Sequence, residues 1–215
     1  MPGPVRWLVH PAAKPILFIL LILPLVQLAL AAVGDRLGPN PAEALIRSTG
    51  DWTLRLLCLS LAVTPFRVLT GWAALARFRR MVGLFAFAHG AVHLLCYALF
   101  DMGGELPDIL QDIVRRPFIL VGSLALLLLL PLALTSLDRA VRWLGGRRWR
   151  ALHRLVYLAA PLAVLHFFWM RAGKNDFAEV AVYAAVLASL LGWRIVWHAR
   201  QRQAARPADA GSARV

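Results

Sequence analysis

Two histidines four residues apart, His89 and His93, sit in LFAFAHGAVHLLCYALFD, residues 84–101, a stretch that stays apolar until Asp101 closes it. A titratable ring placed in hydrocarbon is costly and by default marks function. Four further histidines follow or precede it: His10, His153, His166 and His198. A membrane imidazole serves either as a hydrogen-bonding group between helices or as an axial ligand to iron. The second use needs two imidazoles at one depth on different helices, so the helices must be located first.

The 215 residues are 60% hydrophobic and 16% charged, with a mean hydropathy of +0.66, which makes lipid the main solvent of this chain. Six runs are long enough for a hydrocarbon core of ~30 Å at roughly 20 residues each: about 16–33, 52–69, 81–100, 118–136, 152–170 and 177–197. Each is expected to be helical, because lipid offers no partner for backbone N–H and C=O. The first run is too far from a cleavage-site pattern to be a removed signal peptide. The expected fold is an all-α polytopic membrane bundle of six transmembrane helices, with residues 1–200 as the membrane domain and 201–215 as a disordered cytoplasmic tail.

Charge sets the orientation. With the N-terminus in the cytoplasm, 17 of the 24 Lys and Arg fall in inner segments and 6 in outer ones, while Arg55 lies within a run. That asymmetry predicts both termini in the cytoplasm. It also explains the net charge of +13 without nucleic acid: the arginine-rich loops are topology signals first and anion sites second. Cys58 and Cys96 lie in separate runs with no metal-ligand spacing and read as apolar filler. No P-loop, Rossmann fingerprint or internal repeat is present, so nicotinamide chemistry would have to come from another polypeptide. No Asp or Glu stands in the interior of the six runs to form a proton relay; Glu179 is at the outer edge of the sixth.

Depth is read from the flanks at ~1.5 Å per residue. His93 is eight residues short of Asp101 and His166 five short of Arg171, which puts both in the outer half on separate helices. His153 precedes His166 by thirteen residues, about 20 Å along a helix, and belongs near the cytoplasmic surface. Ideal geometry leaves those two rings roughly 140° apart, an angle that a kink at Pro161 would change. An inner and an outer station are expected. Thirteen residues before His93 stands Arg80, so an inner haem would lack a symmetrical second histidine. His89 shares the face of His93; it is either a packed, hydrogen-bonded ring or a neighbour that contacts or tunes the outer site.

At this point a set of short motifs lines up in order: STGDWTL (48–54), TPFR (64–67), RRMVGLFAF (79–87), HLLCYALFD (93–101), RRPF (115–118), LALTS (132–136), LGGRRWRALHRLVY (144–157) and LHFFW (165–169). The chain resembles the MsrQ (YedZ) membrane subunits, within the ferric-reductase-like transmembrane superfamily that includes NADPH oxidase membrane domains. The resemblance implies a haem b protein (one haem, or two) of the bacterial inner membrane, with bound FMN. It implies electrons from respiratory quinol or a cytosolic flavin reductase, passed to a periplasmic molybdopterin-containing methionine sulfoxide reductase that repairs oxidised periplasmic proteins. The family histidines fall on His93, His153 and His166 as iron ligands, and Arg79, Arg80 and Arg148, with Arg147 and Arg150 beside them, are candidates for flavin phosphate or haem propionates. The chain would then be an electron-transfer subunit, with no catalytic acid–base residue of its own.

Two other classes stay open on the residues alone. A ferric or cupric reductase, or an oxidase-like haem core, would need a nicotinamide and flavin domain. A transporter or structural subunit would leave the ordered motifs unexplained. The loop DMGGELPDILQDIVRRP, residues 101–117, carries four acids in a basic chain and is a candidate docking surface for the periplasmic reductase.

Overall fold

The computed structural model of the protein describes residues 3–173 and 175–204; Lys174 and residues 205–215 of the expected tail lie outside them. Among the described residues there is no strand, and six helices are long and apolar enough to cross a membrane. The α-helices are α1 (Gly3–Val9), α2 (Ala13–Val33), α3 (Pro41–Thr70), α4 (Ala76–Cys96), α5 (Leu106–Arg115), α6 (Pro117–Leu134), α7 (Asp138–Leu152), α8 (Val156–Ala172) and α9 (Ala178–Ala204). Residues 201–204 of the expected tail thus complete α9.

The helix starts depart from the apolar runs where capping overrides hydropathy. α3 begins eleven residues before its run, at Pro41, because Asn40 accepts from the Glu43 N–H at 3.1 Å and donates to Glu43 Oε2 at 3.3 Å. That is a reciprocal cap with proline at the first helical position. As a result Asp51, expected outside the helices, lies well inside α3. The helix stops at Gly71, whose φ of 72° gives the left-handed cap.

Two further elements escape a hydropathy reading. α4 widens into a π-helical turn at Tyr97–Asp101. After a four-residue connection, Leu106–Arg115 form α5, whose Ile109 and Ile113 pack inward in a cluster with Tyr97, Ile119, Ile46 and Phe118. Its Leu106, Leu110 and Val114 are exposed at four-residue spacing. At the opposite, arginine-rich end, α7 is broken at Gly145 (φ 73°) and joined to α8 through a 3-10 turn at His153–Leu155. The break in helical geometry thus falls at Gly145, and Pro161, where a kink was expected, lies within an uninterrupted α8.

The core lies where α3, α4, α6 and α8 meet. Leu56, Leu57 and Leu61 of α3, Val82 and Ala86 of α4, Leu129 and Leu132 of α6, and Val156, Ala159 and Ala160 of α8 form one buried cluster. Ala86 and Ala159 are fully covered; small side chains there let the helices approach closely, which is how helices associate in lipid. α2 and α9 sit at the periphery and add only Leu21 and Leu187.

Proline inside α3 illustrates how the bundle pairs its backbone. Pro65 has no N–H, so the Leu61 carbonyl four residues earlier has lost its helical donor. Arg194 of α9, itself buried, supplies one: its Nη2 bonds the Leu61 carbonyl, while Nη1 donates to the Leu190 carbonyl at 3.2 Å. The guanidinium also lies 5.5 Å from the Tyr157 ring centre. One side chain thus ties α9 to α3 and α8. Arg194→Leu should lower stability in detergent by about 1–3 kcal/mol, the cost of an unpaired buried carbonyl. The same change in a Pro65→Ala background should cost about 1 kcal/mol less, because residue 65 again has an N–H to offer. Equal losses in both backgrounds, measured by thermal unfolding, would show that Arg194 does not compensate the proline.

Candidate functional site

His93 of α4 and His166 of α8 face each other across a cavity of about 250 Å³, with ring centroids 6.1 Å apart and planes at 77°. Each ring is held in the same way. His93 Nδ1 bonds the Ile46 carbonyl of α3 at 2.8 Å, and His166 Nδ1 bonds the Phe118 carbonyl of α6 at 2.6 Å. A neutral imidazole that donates from Nδ1 to a carbonyl keeps Nε2 as its lone-pair nitrogen, and this is the tautomer suited to binding a metal.

Glycine makes both contacts possible. Four residues after Ile46 comes Gly50, and four after Phe118 comes Gly122, on the same helix faces. A Cβ on Gly50 would lie 3.1 Å from His93 Nδ1, and one on Gly122 only 2.7 Å from His166 Nδ1. The missing side chains open the helix surface beside each carbonyl, and the rings fill the space. A third glycine on the cavity wall, Gly90, meets Leu126 and Thr53 as closely.

The pair suits one metal ion. Metal–imidazole bonds of roughly 2 Å on either side of an ion place ring centres roughly 6 Å apart, as they stand here. Among the described residues no group of three or more His, Cys, Asp and Glu could hold a metal ion. Two imidazoles without a third metal-ligating side chain beside them thus fit a centre that brings its remaining ligands in its own ring. Leu54, Leu57, Leu126, Leu129 and Phe167 line the depth of that cavity, whereas Glu43, Arg47, Asp51, Asp101 and Arg116 give it polar groups.

His153 stands apart from this pair. It lines a second cavity, of about 520 Å³, at the arginine-rich end. Its Nδ1 bonds the Trp149 carbonyl at 3.1 Å and its ring lies 3.9 Å from that of Trp149, whose Nε1 donates to the Thr135 carbonyl at 2.9 Å. Arg79 and Arg80 line the same cavity, as do Arg67, Arg150 and Arg154. Arg80 is also paired with Asp138 at 2.5 Å. The other histidine of the lining is His198, and α4 brings none. Arg148 is exposed and lines neither cavity. Leu57 and Leu129 line both cavities, so the two spaces share a wall.

His89 lines neither cavity. It is fully buried, bonds the Phe85 carbonyl of its own helix through Nδ1 at 2.9 Å, and packs against Trp52 and Phe85. Four residues from His93 turn it from the cavity toward α3, so sharing a helix face did not mean sharing a site. The residues that composition passed over are Gly50 and Gly122. A glycine inside a helix costs roughly 1 kcal/mol against alanine, and that cost was the available signal.

Residues 49–164 match the family described as the ferric reductase like transmembrane component. A protein of Polaromonas naphthalenivorans (strain CJ2) named protein-methionine-sulfoxide reductase heme-binding subunit MsrQ is 60% identical over 198 residues, 92% of this chain and 90% of its own. Proteins of the same name are 50% identical in Ralstonia nicotianae, over 86% of either chain, and 49% identical in Rhodospirillum rubrum, over 88% of this chain and 90% of that one. The chain belongs to the MsrQ family. No solved structure matches it. The family match begins at Thr49, one residue before Gly50, and closes at Val164, two residues before His166, so it contains Gly50, His93, Phe118 and Gly122 and stops short of Ile46 and His166.

The two cradles are directly testable by adding one methyl group. Gly122→Ala should destabilise the protein by about 1–3 kcal/mol, the usual cost of overpacking, because His166 cannot move without losing the Phe118 carbonyl. Gly83→Ala, whose Cβ would meet only Ser60 Oγ at 3.5 Å, should be neutral or stabilising by up to about 1 kcal/mol. Unfolding midpoints of the two variants in one detergent decide between a specific cradle and general intolerance of alanine.

Proposed function

We propose that the chain is the transmembrane haem b subunit of a bacterial inner-membrane methionine sulfoxide reductase system. It carries electrons from a cytoplasmic or membrane donor to a periplasmic molybdopterin-containing catalytic subunit. The observation that carries this reading is the facing pair His93 and His166, each with Nδ1 on a carbonyl of a neighbouring helix. Haem bound there supplies reversible one-electron chemistry. The chain's part is to hold and insulate: the two Nε2 atoms ligate, the Ile46 and Phe118 carbonyls fix the ring orientations, and the leucines of the cavity keep water out. No residue is required to make or break a covalent bond in substrate.

Orientation follows from the arginines, with the end bearing α1, α7 and the termini in the cytoplasm. His93 and His166 then lie on the periplasmic side and the larger cavity on the cytoplasmic side. That cavity suits FMN: Arg79, Arg80, Arg67, Arg150 and Arg154 line it and offer charge-assisted bonds to a phosphate, while Trp149 and His153 offer a close, tilted pair of rings. It lacks the opposed imidazole of α4 that a second bis-histidine haem would use. Arg148, exposed, has no part in it. A flavin held there would take electrons from the quinol pool or from a cytosolic flavin reductase, and Leu57 and Leu129 form the wall it would share with the histidine cavity.

The purified chain should show a Soret band, with α and β bands that sharpen on reduction. His93→Ala and His166→Ala should each lose the pigment or turn it high-spin, and His153→Ala should lower flavin per polypeptide while the low-spin haem stays. His89→Ala, because its ring lines neither cavity, should keep the low-spin spectrum, with at most a shifted midpoint potential. Loss of haem from His89→Ala as complete as from His93→Ala would overturn the ligand assignment.

Partner docking is expected on the α5 side of the periplasmic face. Asp112 is already engaged, by the Tyr97 hydroxyl at 2.6 Å and by Arg116 at 2.8 Å, which leaves Asp101, Glu105 and Asp108 as the exposed acids of that loop. Reversing these three should slow electron transfer to the catalytic subunit, more at low salt than at high salt. Unchanged rates at both salt levels would remove this surface from consideration.

A further inference from the structure

The cavity between His93 and His166 is polar only on part of its wall, and that part is built. Arg47 of α3 stands one helical turn before Gly50, the residue against His93. Arg116, at the α5–α6 junction, stands two residues before Phe118, the residue bonded to His166. Both arginines line the cavity, so each is carried by the segment that fixes one imidazole. Both are partly exposed, with 39% of the Arg47 side chain and 52% of the Arg116 side chain open, which places them at its mouth.

Each guanidinium rests on a carboxylate one turn earlier on its own helix. Arg47 Nη2 is 3.7 Å from Glu43, a loose contact, and Arg116 Nε is 2.8 Å from Asp112. The Asp112 bond uses Nε, and the two terminal nitrogens take no part in it. Asp112 is fixed in turn by Tyr97, a buried residue that opens the π-helical turn and also lines the cavity. Tyr97, Asp112 and Arg116 form a chain that holds one cation at the mouth. Two further acids line the cavity: Asp51 on the α3 wall, within electrostatic range of Glu179 as well as of Arg55, Arg171 and Arg47, and Asp101 at the end of the π-helical turn.

Two cations at the rim of an apolar slot suit a flat apolar ring that carries two carboxylates on one edge. Ionised carboxylates are too costly for the leucine-lined depth, so that edge must lie at the mouth. There, guanidinium groups are the strongest available donors. We propose that Arg47 and Arg116 form a two-point clamp for the two propionates of the haem held by His93 and His166, and so set how the ring is turned in its own plane. The inference rests on the haem reading above and goes beyond it, since axial ligation leaves that rotation free.

The test compares two pigments on the full-length chain after haem removal: haem itself, and its dimethyl ester, in which both propionates are uncharged. Wild type should bind haem more tightly than the ester. Arg47→Gln with Arg116→Gln should lose on the order of 10-fold or more in haem affinity, a charge-assisted bond or two, and nothing toward the ester, so the preference collapses. Tyr97→Phe, which releases Asp112 and with it Arg116, should lower the preference partway. A low-spin spectrum throughout would show the histidine ligands in place. If the double variant keeps the wild-type preference, or loses both pigments equally, the clamp is wrong while the axial pair stands. A wild-type chain that takes up neither pigment overturns both readings.

Discussion

The rest of the structure turns on a carbonyl accepting a hydrogen bond from an imidazole across a helix interface. An unpaired polar atom in the middle of a bilayer costs several kcal/mol, so a buried histidine must find an acceptor, and in a helical bundle the nearest acceptors are already bonded within their own helices. The solution here is used twice. Ile46 and Phe118 share their carbonyls with His93 and His166, at the two places where a glycine four residues later leaves the helix surface open. The two bonds join α3 to α4 and α6 to α8. The small side chains along those seams, Ala86 and Ala159 among them, follow from how closely the backbones must then run.

The same accounting covers much of the other buried polarity of the bundle, with His89 Nε2 and Arg171 Nε left without a hydrogen-bond partner among the described residues. Arg194 is neither a charge-relay member nor an anion site; it pairs with the carbonyl that Pro65 leaves without a donor. Arg171, buried at the other end of α8, is paired with Asp176 at 3.0 Å and Glu179 at 2.7 Å and fastens α8 to α9. Intramembrane charge marks function by default, yet these two arginines are structural, because each has a partner that a loop or a proline created. His89, also fully buried, takes its acceptor from its own helix, which ties it to nothing across the bundle.

Hydropathy and spacing made the six spans, their type and the pairing of His93 with His166 legible, since all three depend on length and depth, which an ideal helix converts directly from residue counts. What stayed hidden depended on groups that such counting ignores. The early start of α3 came from Asn40 and Glu43 bonding each other, and it carried Asp51 into the helix. α5 is ten residues long, too short to register as a span. The inward turn of His89 depended on a 40° step between residues four apart, enough to separate two rings where α3 and the cavity meet. Arg148 was grouped with Arg79 and Arg80 by charge alone, but the break at Gly145 sets the direction of the helix end, and there Arg150 and Arg154 reach the cavity instead.

The two cavities differ in ways that follow from which helices bound them. The smaller lies between helices pinned by the imidazole bonds, so its walls are close and its depth is apolar. The larger lies beside the α7 that breaks at Gly145, is wider, reaches the arginine-rich surface and takes its histidines from the turn before α8 and from α9, with none from α4. A rigid site with matched ligands suits a centre whose coordination must change little between oxidation states, because any reorganisation slows electron transfer. Leu57 and Leu129 belong to both walls, so the two cavities back onto the same pair of leucines.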